Sequence, residues 1–153
     1  MAVIRDPAKI EGRRGTIYPA KFAQGFEGRI KRTLGNAGGL SQFGVNLTTL
    51  DPGAKSSHRH WHRAEDEFIY VLEGELTLIT DAGEETLRPG MAATFPAGEQ
   101  NGHQLINRSG KPVTYLEIGT RSKDEDVTYS DIDLCGERRD GTFRFFTKSG
   151  EPY

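Results

Sequence analysis

This chain is poor in the features that mark a disulfide scaffold, a membrane protein or a nucleic-acid binder. Cys135 is the only cysteine, so no intrachain disulfide can form, and a reducing, cytoplasmic setting is expected. The longest uninterrupted apolar run is the five residues Phe68-Ile-Tyr-Val-Leu72, whereas a spanning helix needs about 20. Arg5 and Asp6 interrupt the N-terminus before any leader-type apolar segment can form. The net charge of -2 points to neither nucleic acid nor an anionic membrane as partner. That charge is unevenly spread, with eight Lys/Arg against three Asp/Glu in residues 1–34 and seven acids against three bases in residues 123–140. No basic block is continuous, so these ends read as solvated, complementary arms. Cys135 lies far from any histidine in sequence and reads as a plain thiol.

The chain also lacks any long stretch with a helical period and any internal repeat. Instead, 19 glycines and seven prolines punctuate short β-rich runs over 153 residues. Expected strands are Phe43–Leu50, His58–His62, Glu67–Leu72, Glu75–Thr80, Met91–Phe95, His103–Asn107, Val113–Thr120 and Thr142–Phe146. Turn signals such as Asp51-Pro-Gly53, Glu73-Gly74, Arg88-Pro-Gly90 and Pro96-Ala-Gly98 separate them. Such spacing predicts an all-β sandwich or barrel in one domain. Three segments follow: an N-terminal arm with first strands (1–42), a barrel core (43–120) and a C-terminal extension (121–153) packing on the barrel or a partner. In the arm, Lys31-Arg-Thr-Leu34 fits a strand or a helical turn.

All four histidines fall in two stretches, at His58, His60, His62 and His103. Residues two apart on a strand share a face, roughly 6.6 Å apart along the backbone. His60 and His62 can therefore aim at one point. Glu67 follows a short polar stretch, and a hairpin there would bring it beside His62. Imidazole with carboxylate suits a borderline divalent metal and leaves coordination positions open. An equally spaced frame, His58, His60 and Glu65, is open on spacing alone.

These residues resemble the two motifs of the cupins. The first is similar in His60-x-His62, four residues, Glu67, six residues, Gly74; the leading Gly53 stands one residue further from His60 than the family pattern. The second is similar in Gly90, five residues, Pro96-x-Gly98, four residues, His103, three residues, Asn107, with two extra residues before His103. Gly74 selects the frame of His60, His62 and Glu67, since the alternative would need glycine at Leu72. The resemblance covers roughly residues 43–120. It implies a double-stranded β-helix, the jelly-roll cupin barrel, with His60, His62, Glu67 and His103 holding one divalent ion per chain (Fe, Mn, Ni, Zn or Cu). Possible pocket residues are His58, Asn107, Tyr70, Phe95, Tyr115, Gln104 and Glu117. His58 either faces the pocket or is solvated at its mouth, and Trp61 should point away from the ion.

Three neutral histidines and one carboxylate around a divalent ion leave a formal charge of +1, favouring a small anionic or chelating ligand. The expected function is a metalloenzyme on a small oxygenated substrate, as a dioxygenase, decarboxylase, lyase or isomerase. The whole chain resembles small single-domain bacterial cupins loosely described as sugar-phosphate-isomerase-like. No run of Lys/Arg is dedicated to a phosphate, although Arg59, Arg63 and Arg88 could contribute. The alternative is a non-catalytic ligand- or metal-binding module. Apolar residues on both faces of Phe68–Leu72 and Phe143–Phe146 predict a homodimer.

Overall fold

Ile69 and Val71 are fully buried, while Tyr70 and Leu72 face outward at 36% and 44% exposure. This is the period-two pattern of a strand with one wet face, and it recurs through the chain. The computed structural model describes residues 1–153, and its strands are, in order, β1 (Arg13–Arg14), β2 (Arg29–Arg32), β3 (Phe43–Leu50), β4 (His60–His62), β5 (Glu67–Glu73), β6 (Leu76–Thr80), β7 (Gly83–Leu87), β8 (Ala92–Phe95), β9 (Gln104–Ile106), β10 (Val113–Thr120), β11 (Glu125–Tyr129), β12 (Cys135–Arg139) and β13 (Thr142–Phe146). One α-helical turn, Leu34–Ala37, follows β2. No helix is long and apolar enough to cross a membrane.

The strands form two facing antiparallel walls. The first has the order β1-β2-β3-β10-β5-β8. The second is made of two smaller sheets, β13-β12-β11-β4 and β7-β6-β9. His60 and His103 join them: each backbone N–H donates to the other's carbonyl, at 3.1 and 2.9 Å. A pair that exchanges both bonds places its two side chains on the same face. Both imidazoles are therefore delivered to the inner surface.

Two apolar clusters lie between the walls. One is mostly aliphatic, with Leu50, Ile69, Val71, Leu76, Leu105 and Val113 among its members, closed by Tyr115. The other gathers Phe22, Val127, Tyr129 and Leu134, with Tyr18, Phe143 and Phe145 packed against it. Gly74 ends β5 with φ +82°, and a Cβ there would stand 2.9 Å from the Pro112 carbonyl oxygen. Both the left-handed turn and the close approach require glycine.

The structure departs from the sequence reading in several places. No hairpin joins β4 to β5: β4 pairs with β11, and β5 pairs with β10 and β8. Residues 63–66 instead form a corner between the walls. β7, β11 and β12 are strands that the sequence reading leaves out. Four of the five β7 residues are exposed, so only hairpin pairing with β6 marks it as a strand. In β11 the inward alternation of Val127 and Tyr129 begins with the buried acid Glu125, which hides the pattern. The polar Gly-Glu-Arg-Arg of β12 is held by strands on both sides. Residues Arg29–Arg32 form the second strand and Leu34–Ala37 the helical turn, so the arm contains both alternatives in succession.

Candidate metal centre

Three of the four metal-type side chains converge without rearrangement. The Nε2 atoms of His60 and His62 are 3.1 Å apart, and His62 Nε2 lies 3.7 Å from Glu67 Oε2. One donor atom from each of these three residues lies within 4.8 Å of the other two. His103 joins through Glu67, with its Nε2 2.9 Å from Glu67 Oε2. β4 and the residue just before β9 supply the histidines from the second wall, and β5 supplies the glutamate from the first. The cluster therefore bridges the two sheets.

The corner at residues 63–66 sets that geometry, and a fully buried acid holds the corner. Glu125 Oε1 accepts hydrogen bonds from the backbone N–H of Arg63 at 2.9 Å and of Ala64 at 3.1 Å. Glu65 accepts from Ser122 N at 2.8 Å and from Arg138 at 2.6 Å. Asp66 accepts from Ala97 N at 2.8 Å. Charge-assisted bonds of this kind compensate the desolvation of buried carboxylates. No sequence signal marked Glu125. Glu65, the carboxylate of the alternative frame, is used in this corner.

Protonation also suits a cation. His60 Nδ1 donates to the His58 carbonyl at 2.9 Å, which leaves Nε2 with its lone pair toward His62. Burial, reinforced by the neighbouring His103 and His62, holds the His60 pKa well below the usual imidazole range. Burial alone would raise the Glu67 pKa, but the His103 hydrogen bond and the three imidazoles outweigh it and hold the carboxyl below its ordinary value. A neutral imidazole beside an ionised carboxylate is the protonation state of metal ligands. Phe95 stacks flat on His103, with ring centroids 3.7 Å apart, and fixes that ring from behind.

The cluster lines a cavity of about 330 Å³. Phe95 and Glu117 line it. His58, Asn107, Tyr70, Tyr115 and Gln104 do not, and each has a physical reason. His58 is neither a pocket group nor solvated at its mouth: its Nε2 is 2.8 Å from the Phe22 carbonyl, and its ring packs on Tyr18 and Phe26. Asn107 is fully buried and donates to the carbonyls of Leu50 and Lys111 at 2.8 Å each, stapling a loop. Tyr70 is on the outer face, and Tyr115 is sealed in the aliphatic cluster. Gln104 donates to the Ser57 carbonyl. Trp61 lies outside this cavity, at a smaller cleft beside Leu78 and Thr80.

The basic residues also differ from expectation. Arg59 pairs with Asp81 and Asp131, Arg63 with Asp126, and Arg88 with Glu75, all outside the cavity. Arg13, Arg29 and Lys31 of the N-terminal arm line it instead. The arm reaches the site because β2 adds to the edge of β3, with Arg29 opposite Leu50 and Lys31 opposite Thr48. Edge addition leaves little trace in a short, charged strand.

Residues 46–119 match the cupin domain family. A crystal structure from Silicibacter pomeroyi, described as a sugar phosphate isomerase from a cupin superfamily, is 49% identical, with 97% of this chain and 94% of that one covered and a TM-score of 0.93. A structure from Acidithiobacillus ferrooxidans shares the fold at 24% identity, covering 100% and 95% of the two chains with a TM-score of 0.83. A polyketide cyclase from Streptomyces resistomycificus shares it at 24% identity, covering 78% and 80% with a TM-score of 0.63. No curated protein matches. With a family match over residues 46–119, a two-walled jelly roll and a 49%-identical relative matched along nearly its whole length, this chain belongs to the cupin superfamily.

Proposed function

We propose that this protein is a metal-dependent enzyme acting on a small oxygenated anion, with isomerisation of a hydroxy-carbonyl substrate as the favoured reaction. His60, His62, Glu67 and His103 are the ligands in this reading. The observation that carries it is the 3.1 Å approach of two imidazole Nε2 atoms beside an ionised glutamate at a cavity wall. A bound divalent ion would supply Lewis-acid polarisation of a carbonyl and stabilise a developing enediolate. The chain's own part is positional. The His58 carbonyl fixes the His60 tautomer, Phe95 fixes the His103 plane, and Glu125 fixes the corner that brings Glu67 across from the other wall. The walls shield the reacting atoms, since the His62 and Glu67 side chains are each only 18% exposed. The similarity to the Silicibacter pomeroyi protein, described as a sugar phosphate isomerase, favours isomerase over dioxygenase or decarboxylase chemistry.

Metal content of protein purified without added metal, followed by a screen of aldose and ketose phosphates and keto acids with that ion restored, tests this reading. His62→Ala and Glu67→Gln should each lose bound metal and turnover together. If chelating acids perturb the spectrum of cobalt-loaded protein but no product forms with or without air, the protein is a binding module. If the wild type takes up no divalent ion, the metal reading fails.

A homodimer through the outer face of the first wall belongs to the same proposal. Tyr70 and Leu72 are exposed there, and Phe43 at the start of β3 is 42% exposed. A two-fold axis pairs such a face with itself. A solution mass near the 17.0 kDa of one chain at micromolar concentration would overturn it.

A further inference from the structure

The cavity wall contains five cations, Arg13, Arg29, Lys31, Arg121 and Arg138, against four carboxylates, Glu65, Asp66, Glu67 and Glu117. Most of these charges are engaged. Lys31 pairs with Glu117, which also accepts from Asn46 at 3.1 Å, and Arg138 pairs with Glu65 at 2.6 Å. Arg121 donates to the Leu40 carbonyl and to Asn36. Arg29 differs. It is half-buried on β2, its Nη1 donates to the Ser56 carbonyl, and its Nε is buried without any partner. It pairs with no carboxylate, and one side of its plane is 5.9 Å from the Phe26 ring centroid.

A half-buried guanidinium with idle donors is costly, because desolvation is not repaid by a counter-charge. The neighbouring groups suit an anion. The phenols of Tyr18 and Tyr129 line the same cavity and add polar groups to its wall. The planar guanidinium fork is the group that matches a carboxylate or phosphate with two parallel hydrogen bonds.

We propose that Arg29 forms an anion subsite in this cavity, so that the substrate is bifunctional: chelating oxygens at one end for the His/Glu cluster, and a carboxylate or phosphate at the other for Arg29. The second half of this statement rests on the metal reading above; the anion subsite itself does not. Arg29 acts as a binding and specificity residue, and the N-terminal arm becomes part of the site.

The test uses the full-length chain stripped of metal by chelator, titrated calorimetrically with inorganic phosphate and with malonate. The melting temperature is followed with and without each anion. Wild type should bind at least one of the two and melt higher in its presence. Arg29→Gln should weaken that binding about tenfold or more, the loss of a charge-assisted bidentate contact, and lose the anion-dependent shift. Its anion-free melting temperature should stay close to wild type. Arg29→Lys, which keeps the charge and loses the fork, should fall between them and decides the matter if the glutamine variant does not fold. Arg88→Gln, outside the cavity, should bind as wild type does. Tighter phosphate binding marks a phosphoester substrate, and tighter malonate binding marks a carboxylic acid. Equal binding by wild type and both Arg29 variants, or binding of neither anion by wild type, overturns the subsite. A wild type that binds phosphate through Arg29 but takes up no metal overturns only the metal reading.

Discussion

The two apolar clusters are built from different parts of the chain and teach different things. The aliphatic cluster draws all of its members from residues 50–115, most of them on strands whose alternation is visible one strand at a time. The aromatic cluster joins Tyr18 and Phe22 to residues 127–145, more than a hundred positions later. The first closes the barrel. The second packs Tyr18 and Phe22 of the N-terminal arm against the C-terminal strands, next to the β2–β3 pairing that places Arg29 in the cavity. Local periodicity encodes the first, and only chain topology creates the second.

Breaking the aliphatic cluster should have the largest effect. Leu76 is fully buried, and Leu76→Ala should cost about 2–5 kcal/mol, read as a fall in denaturant midpoint with strand signal and metal binding lost in one transition. Phe22→Ala, in the other cluster, should cost about 3 kcal/mol, the low end for a buried aromatic, since the residue keeps 9% exposure, and act differently. It should expose the segment before β2 to protease and weaken anion binding while metal uptake persists. Simultaneous loss of both would show that the clusters form one cooperative unit.

Metal removal tests the same separation from the site's side. An ion bound only by the folded state adds about 4 kcal/mol at a thousandfold excess over its dissociation constant. Chelator should therefore lower the melting temperature without unfolding the barrel, because the aliphatic cluster does not depend on the ion. A metal-free chain without β-sheet signal in circular dichroism would contradict this.

His58→Ala should have a smaller effect. It removes a ring packed on Tyr18 and Phe26 but leaves the His58 carbonyl that orients His60. Stability should fall by about 1 kcal/mol, a typical point-mutant cost, with bound metal unchanged. If His58→Ala releases the metal and His62→Ala does not, the ligand frame is displaced by two residues.

The smallest effect concerns pH. Hydrogen bonds from Arg59 hold the Asp131 pKa below its usual value. A folded pKa below the unfolded one gives stability that is complete above the unfolded pKa of about 3.9 and is lost as pH falls through the folded value. Because the Asp131 side chain is 58% exposed, salt should screen most of it. Arg59→Ala should flatten the acid limb of the stability profile slightly at low ionic strength, and an unchanged limb would remove the pair from the account.

Over most of residues 43–120 the sequence is legible because its signals are local. Glycines requiring positive φ, period-two burial and the spacing of His60, His62 and Glu67 each act within about ten residues. Reading failed where pairing is non-local or polarity masks burial. Glu125 looks like a surface acid and is fully buried under a corner, and Asn107 looks like a pocket residue and is a loop staple. β7 and β12 lack the apolar alternation that would announce them.

The sequence by itself determined the all-β class, the turn positions and the identity of the metal-type side chains, because each depends on backbone geometry between near neighbours. Only the tertiary structure decided which wall each of these side chains comes from, that His60 and His103 form one bridging pair, and that a charged strand of the arm places Arg29 in the cavity. Those depend on contacts between residues tens of positions apart, and which of many possible edges a short polar strand joins is set by the packing of the whole chain.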